Sequence, residues 1–326
     1  MAEKSYGFAI GNLRARENNL LRDSDFTQLA SLKSTKELGA ALADRGIGER
    51  GRDDVPAALQ NSVGDLWRYL NEIAPDASIF APFIAENDFH NFKVVLKGII
   101  KSADYSGILI RPDNIPVELM EEAVREKKFD ILPKYLRDGA ARAYEILISS
   151  GDSQLCDGVL DAACMRAQLE MVSDKGFKSA YTAELIRTTV FFANIKSALR
   201  AAKAGKNAAF LDCTLVDTGY ISADRVKKAA LGGVDDLLEI LPLAGNMGIG
   251  AAAAYKVSSG EFERYCDNYI MSVARKARFI TMGVEPVVGY MMARLYEIKN
   301  LRIVYSGIKT GQPQEKTLGR LRELYG

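Results

Sequence analysis

An asparagine followed two residues later by a base occurs three times at nearly even spacing. The strings are NFKVVLKG from Asn91, NIKSALRA from Asn194 and NLRIVYSG from Asn300, separated by 103 and 106 residues. Each interval is the length of a small domain. The surrounding register repeats as well. With the asparagine as zero, position −2 holds Phe89, Phe192 and Ile298, +1 holds Phe92, Ile195 and Leu301, and +5 holds Leu96, Leu199 and Tyr305. Spacings of three and four place these side chains on one face of an α-helix. Position +7 holds Gly98, Ala201 and Gly307, small each time, as expected where a helix end passes close to another backbone. Copies two and three agree over a longer span at a constant offset of 106: Asp161 with Asp267, Ile115 with Ile221, Ala123 with Ala229. In copy one the corresponding acid is Asp65, on a shorter spacer. The gap from acid to asparagine is 33 residues in both later copies, which independently arising amphipathic helices have no reason to share. The same self-similarity identifies shorter repeats, and here it divides the chain into three tandem domains, 1–105, 106–211 and 212–326.

The expected fold class is all-α. Ala, Leu, Glu, Lys and Arg dominate the long segments, and no run shows sustained β-branched alternation. Helices are expected over 8–22, 26–32 and a third capped by Ser34 or Thr35, then 57–74 and 82–101 after a loop at 46–56. Copy two should start its first helix at Asn114 and Pro116, running to about Lys127. Short helices at 130–137 and 139–150 and long ones at 153–173 and 178–204 follow. Copy three repeats the plan with Ser222 as a cap, then 223–230, 234–241, 247–258, 260–281 and 286–308. A short last helix after Pro313 should carry Leu318, Leu321 and Leu324 on one side.

A hydrophobic fraction of 48% is ample for a core, and 43 basic against 42 acidic residues leave no global bias toward nucleic acid. The most apolar stretch, Ile240 to Tyr255, is only 16 residues and contains Pro242, Asn246 and three glycines, so no membrane span is expected. The N-terminal stretch has no sustained apolar segment and does not read as a signal peptide. Cys156, Cys164, Cys213 and Cys266 form no CxxC pair and read as buried thiols of a reducing compartment.

Chemistry-bearing motifs are sparse. The lone histidine, His90, stands beside the repeated asparagine in copy one only, where the other copies have Ala193 and Lys299. A packed or solvated role fits it better than general base catalysis. No phosphate loop, zinc spacing, calcium loop or nucleophile elbow is present, so no catalytic residue, cofactor or metal is expected. The glycine string at Gly245, Gly248 and Gly250 follows no strand and reads as a helix junction. What remains is the repeated polar set. Asn91, Asn194 and Asn300 either bond a neighbouring helix end or face a partner, and a mid-helix asparagine favours the former. The bases beside them, Lys93, Lys97, Lys196, Arg200, Arg302 and Lys309, either lie on a wet face or form a partner surface. Asp65, Asp161 and Asp267 carry the same two readings and would pair within each repeat if structural.

Residues 262–325 resemble the C-terminal part of the C subunit of bacterial and archaeal V-type (A-type) ATP synthases, related to the d subunit of the eukaryotic vacuolar proton pump. Gly283, Glu285, Pro286, Tyr290, Glu297, Asn300, Arg302, Lys309 and Gly311 carry the resemblance, supported by Leu13-Arg14-Ala15-Arg16 and Leu20-Leu21. Ser306 and Ile308, around Gly307, depart from the more aliphatic and basic run expected there. The resemblance implies three homologous helical domains in a pseudo-threefold, funnel-like arrangement. It implies a non-catalytic rotor component of the central stalk, peripheral on the cytoplasmic side of the membrane. Its partners would be the central shaft subunits and the membrane rotor (proteolipid) ring. Two other readings stay open on the residues alone, an all-helical enzyme with its site between repeats and a freestanding helical scaffold.

Overall fold

The structure, a computed structural model, describes residues 5–49, 51 and 54–326, and no strand occurs among them. Part of the loop expected at 46–56 lies outside the described residues. Sixteen α-helices are formed by the described residues. They are α1 Tyr6–Glu17, α2 Asp23–Ala30, α3 Thr35–Ala43, α4 Val55–Ile73, α5 Ala81–Lys101, α6 Val117–Glu126, α7 Lys134–Ser150 and α8 Ser153–Ser173. The second half contains α9 Ala180–Lys203, α10 Ala208–Thr214, α11 Ala223–Gly232, α12 Val234–Ile240, α13 Asn246–Val257, α14 Ser259–Ala274, α15 Glu285–Lys309 and α16 Gln314–Leu318.

Helix boundaries recur at the 106-residue offset. Helix α6 matches α11 at both ends, α8 and α14 start in step, and so do α10 and α16. The caps recur where α8 and α14 begin. Asp152 Oδ1 accepts from the backbone of Gln154 and Leu155 at 2.9 Å, and Ser258 Oγ accepts from Glu261 at 3.0 Å. Each satisfies amides that a helix start leaves without partners. Ser34 caps α3 in the same way, accepting from Glu37 at 3.1 Å, while Glu37 reaches back to Lys33 N.

By packing, the chain forms two compact units, one of the described residues up to Ala77 with Ala254–Gly326, the other of Ser78–Ala253. In the second unit α5 packs on α6, α7 and α8 around Phe89, Phe92, Leu96, Met120, Leu136 and Leu160. Helix α9 packs on α11 and α12. In the first unit Phe26, Leu29, Leu38, Leu42 and Leu59 of α2–α4 close on Ile298, Leu301 and Val304 of α15. Helices α5 and α15 each pack on helices that lie, by sequence, outside their own copy, while α9 packs on α8 of its own copy as well as on α11 and α12. The apolar face at −2 and +1 is buried in all three copies, each large side chain contributing roughly 1.5–3 kcal/mol.

Four expectations are corrected. The helices expected at 130–137 and 139–150 are a short 3₁₀ turn at Phe129–Ile131 followed by one helix, α7. Gly139 is not a break, because it lies against α8 where a Cβ would sit 2.6 Å from that of Ala163. Helix α10 is an addition to the expected plan; Asn207 caps it by accepting from Phe210 N at 2.9 Å. The first helix ends at Glu17, short of residue 22. Helix α16 is only five residues, so Leu321 and Leu324 lie beyond it, yet both join Leu318 against the α2–α4 and α15 core.

Candidate functional site

The three repeated asparagines make the same contact. Asn91 Nδ2 donates to Ile110 O at 2.9 Å and its Oδ1 accepts from Ile110 N at 2.8 Å. Asn194 does this to Val216 at 3.0 and 2.9 Å. Asn300 does it to Arg322, at 2.8 Å for both bonds. Each target lies outside a helix, 19 residues downstream in copy one and 22 in the other two. A primary amide carries one donor edge and one acceptor edge, the complement of a peptide's C=O and N–H. Aspartate lacks the donor and glutamine is a methylene too long. The asparagines are at most 1% exposed, so each clamp satisfies a backbone pair where water cannot. The small +7 position serves the same return of the chain. A Cβ on Gly98 would fall 2.0 Å from the Tyr105 ring, and one on Gly307 would fall 2.4 Å from Thr317 Oγ1. The expected bond to a helix end is therefore a bond to the returning segment.

The acids divide. Asp267 is buried and bonded by Lys299 Nζ and Arg322 Nε, each at 2.7 Å, so it pairs inside its own copy. Asp161 pairs with Lys93 of copy one, and Lys97 pairs with Asp157 at 2.6 Å. These bridges tie α5 to α8. Asp65 lies on the surface with Arg68 at 3.0 Å. Of the six candidate bases, Lys93 and Lys97 are thus engaged in joining helices. Lys196 is half-buried. Arg200, Arg302 and Lys309 are exposed; Arg302 donates to Gln60 at 3.2 Å and Lys309 sits over the Tyr305 ring. Asp161 and Arg200 come together in one cleft of about 310 Å³ between α8, α9 and α10. The others do not converge.

Sequence reasoning missed position −3 of the motif, Asp88 in copy one and Glu297 in copy three. Asp88 is fully buried and accepts from the backbone of Asn114 and Ile115, the Asn114 amide and the Tyr135 hydroxyl. Burial raises its carboxyl above the ordinary range, and those four bonds oppose the rise. Glu297 accepts from Leu21 N at 3.1 Å and from Arg294, and burial raises it too. Acids one turn from an asparagine on a buried face were the available signal. Copy two has Phe191 there, which hid it.

His90 Nε2 lies 3.1 Å from Ile108 O, next to the copy-one clamp. Gly248 approaches the Leu241 carbonyl so closely that a Cβ would sit 1.7 Å from it, a packing reason for the glycine string. Among the described residues no group of three His, Cys, Asp or Glu side chains is placed to hold a metal, and no helix is long and apolar enough to cross a membrane. Three cysteines are buried; Cys213 is half-buried and receives a bond from Arg142 at 2.7 Å.

Against known proteins, the family described as ATP synthase (C/AC39) subunit matches residues 9–320. The C subunit of the V-type sodium ATPase of Enterococcus hirae is 22% identical, over 96% of this chain and 97% of its own. The C subunit of the A-type ATP synthase of Methanocaldococcus jannaschii is 24% identical, over 95% and 84% respectively. That of Methanothermobacter thermautotrophicus is 25% identical, over 92% and 83%.

Proposed function

The chain belongs to the ATP synthase (C/AC39) subunit family, and from that premise we propose that it is the central-stalk C subunit of a V/A-type rotary ATPase. In this reading it is a non-catalytic part of the rotor, a socket that couples the shaft to the membrane ring. The observation that carries the reading is the extent of the match, since the relatives align with more than nine-tenths of the chain. The repeat supports it. Three homologous domains, 1–105, 106–211 and 212–326, arranged about a pseudo-threefold axis would leave a central opening for a shaft, as cyclic arrangements do. The three clamps make each long helix and its returning segment a rigid pair, which suits a part that transmits torque. The protein would sit peripherally on the cytoplasmic side of the membrane, held there by its partners.

The test is affinity purification from membranes of the source organism with a tag on this chain. Shaft, ring and catalytic subunits should co-purify in fixed ratio, and deleting the gene should release the catalytic part from the membrane. A tagged chain that purifies without them, with the motor still membrane-bound after deletion, would refute the assignment.

A further inference from the structure

In the first unit a cleft of about 480 Å³ opens between the end of α1, the turn after α3, and helices α4 and α15. Arg16, Arg45 and Arg294 line it against a single carboxylate, Asp65. Asp65 is already held by Arg68, Arg294 by Glu297, and Arg45 by Asp25 at 3.5 Å. Arg16 has no carboxylate within ion-pair distance among the described residues; its guanidinium lies 3.7 Å from the centroid of the Tyr69 ring. Tyr69 also lines the cleft, is 8% exposed, and has a buried hydroxyl with no hydrogen-bond partner. Tyr290 meets it edge-on at 6.0 Å. Burial raises both phenols above their ordinary range.

Three guanidinium forks from three separate elements are the donors that oxyanions take most strongly. The cleft volume falls in the small-molecule range of roughly 300–1,000 Å³, more than one side-chain carboxylate would fill. We propose that this cleft binds a small phosphate-type oxyanion, held between the guanidiniums of Arg16, Arg45 and Arg294. This site is independent of the stalk reading, and membrane assembly would be unaffected by its failure.

The experiment is calorimetric titration of the purified full chain with inorganic pyrophosphate at constant ionic strength. Saturable one-to-one binding is expected. Arg16→Gln should weaken it about tenfold or more, the equivalent of one charge-assisted hydrogen bond. Arg45→Gln should weaken it as well, because it removes a guanidinium that lines the cleft from a second element. Arg302→Gln, an exposed base outside the cleft, should bind like the parent. Absence of saturable binding at millimolar pyrophosphate would overturn the proposal. So would equal weakening by Arg302→Gln and Arg16→Gln, which marks diffuse charge attraction. If Arg16→Gln does not fold, the Arg45→Gln comparison decides alone: unchanged affinity counts against the site.

Discussion

An asparagine amide buried in a helix is held at three places here by the backbone N–H and C=O of the one residue it faces. Replacing Asn194 by Ala leaves the Val216 N–H and C=O unpaired at a site that is 1% exposed. The expected loss is about 2–4 kcal/mol, the cost of stranding two buried polar groups, read as a lower urea midpoint with unchanged m-value. A loss below about 0.5 kcal/mol would show that water replaces the clamp. Asp88 gives a pH-dependent case. Its folded pKa is raised, chiefly by burial, so its contribution is fully present below the unfolded pKa and is lost as pH rises through the folded value. The stability advantage of the parent over Asp88→Asn should therefore be largest in acid and shrink toward neutrality. Urea unfolding across that range checks the sign; an advantage that grows with pH would contradict it.

At the scale of elements, the glycines at +7 in copies one and three let the returning segment cross its helix. Tyr105 is anchored by its hydroxyl, which donates to Glu121 at 2.5 Å, so the ring facing Gly98 has little freedom to retreat. Gly98→Ala should cost about 1–3 kcal/mol through overpacking, and Gly107→Ala, where a Cβ meets nothing within 4 Å, should stay within about 0.5 kcal/mol. Thermal unfolding separates the two, and equal Tm values would dismiss the close approach. Adding Tyr105→Ala to Gly98→Ala should recover part of the loss if the clash is pairwise. Copies two and three share most boundaries because capping and start signals are local. The break expected between 137 and 139 is absent because Gly139 admits α8, and a glycine that ends a helix and one that admits a neighbour look alike until the neighbour is placed.

At the scale of the whole molecule, the chain's last segment belongs to the core that its first helices build. Removing residues 313–326 takes away Leu318, Leu321 and Leu324 from that core and strands Asn300, whose amide holds Arg322. The truncated chain should lose cooperative unfolding of the first unit, seen as a lower Tm and early amide exchange across α2–α4; native-like protection there would refute this coupling. The exposed bases allow a test of assembly. Arg200→Glu, Arg302→Glu and Lys309→Glu combined should reduce the motor retained on membranes as salt is raised, since rim charges act on association and salt response. A folded triple variant that retains the motor like the parent at low and high salt would remove these residues from the interface. Lys93→Glu should instead destabilise the fold, because it faces Asp161 on α8.

Sequence alone determined the helical class, the 106-residue period and the buried face of each motif helix. These follow from spacing, caps and side-chain volume, all local quantities. It also singled out Asn91, Asn194 and Asn300, because a polar residue recurring amid an apolar face must have a partner. Only the tertiary structure decided who that partner is. Arg322 has nothing of the aliphatic chemistry of Ile110 and Val216; all three are bound through their backbones, which leave no mark on residue type. The same holds for Lys93 and Lys97, whose charges read equally as a wet face or a partner surface until α8 brought Asp161 and Asp157 against them. Three arginines and Tyr69 meet in one cleft because α15 packs on α1 and α4, a juxtaposition across more than two hundred residues that no local pattern encodes.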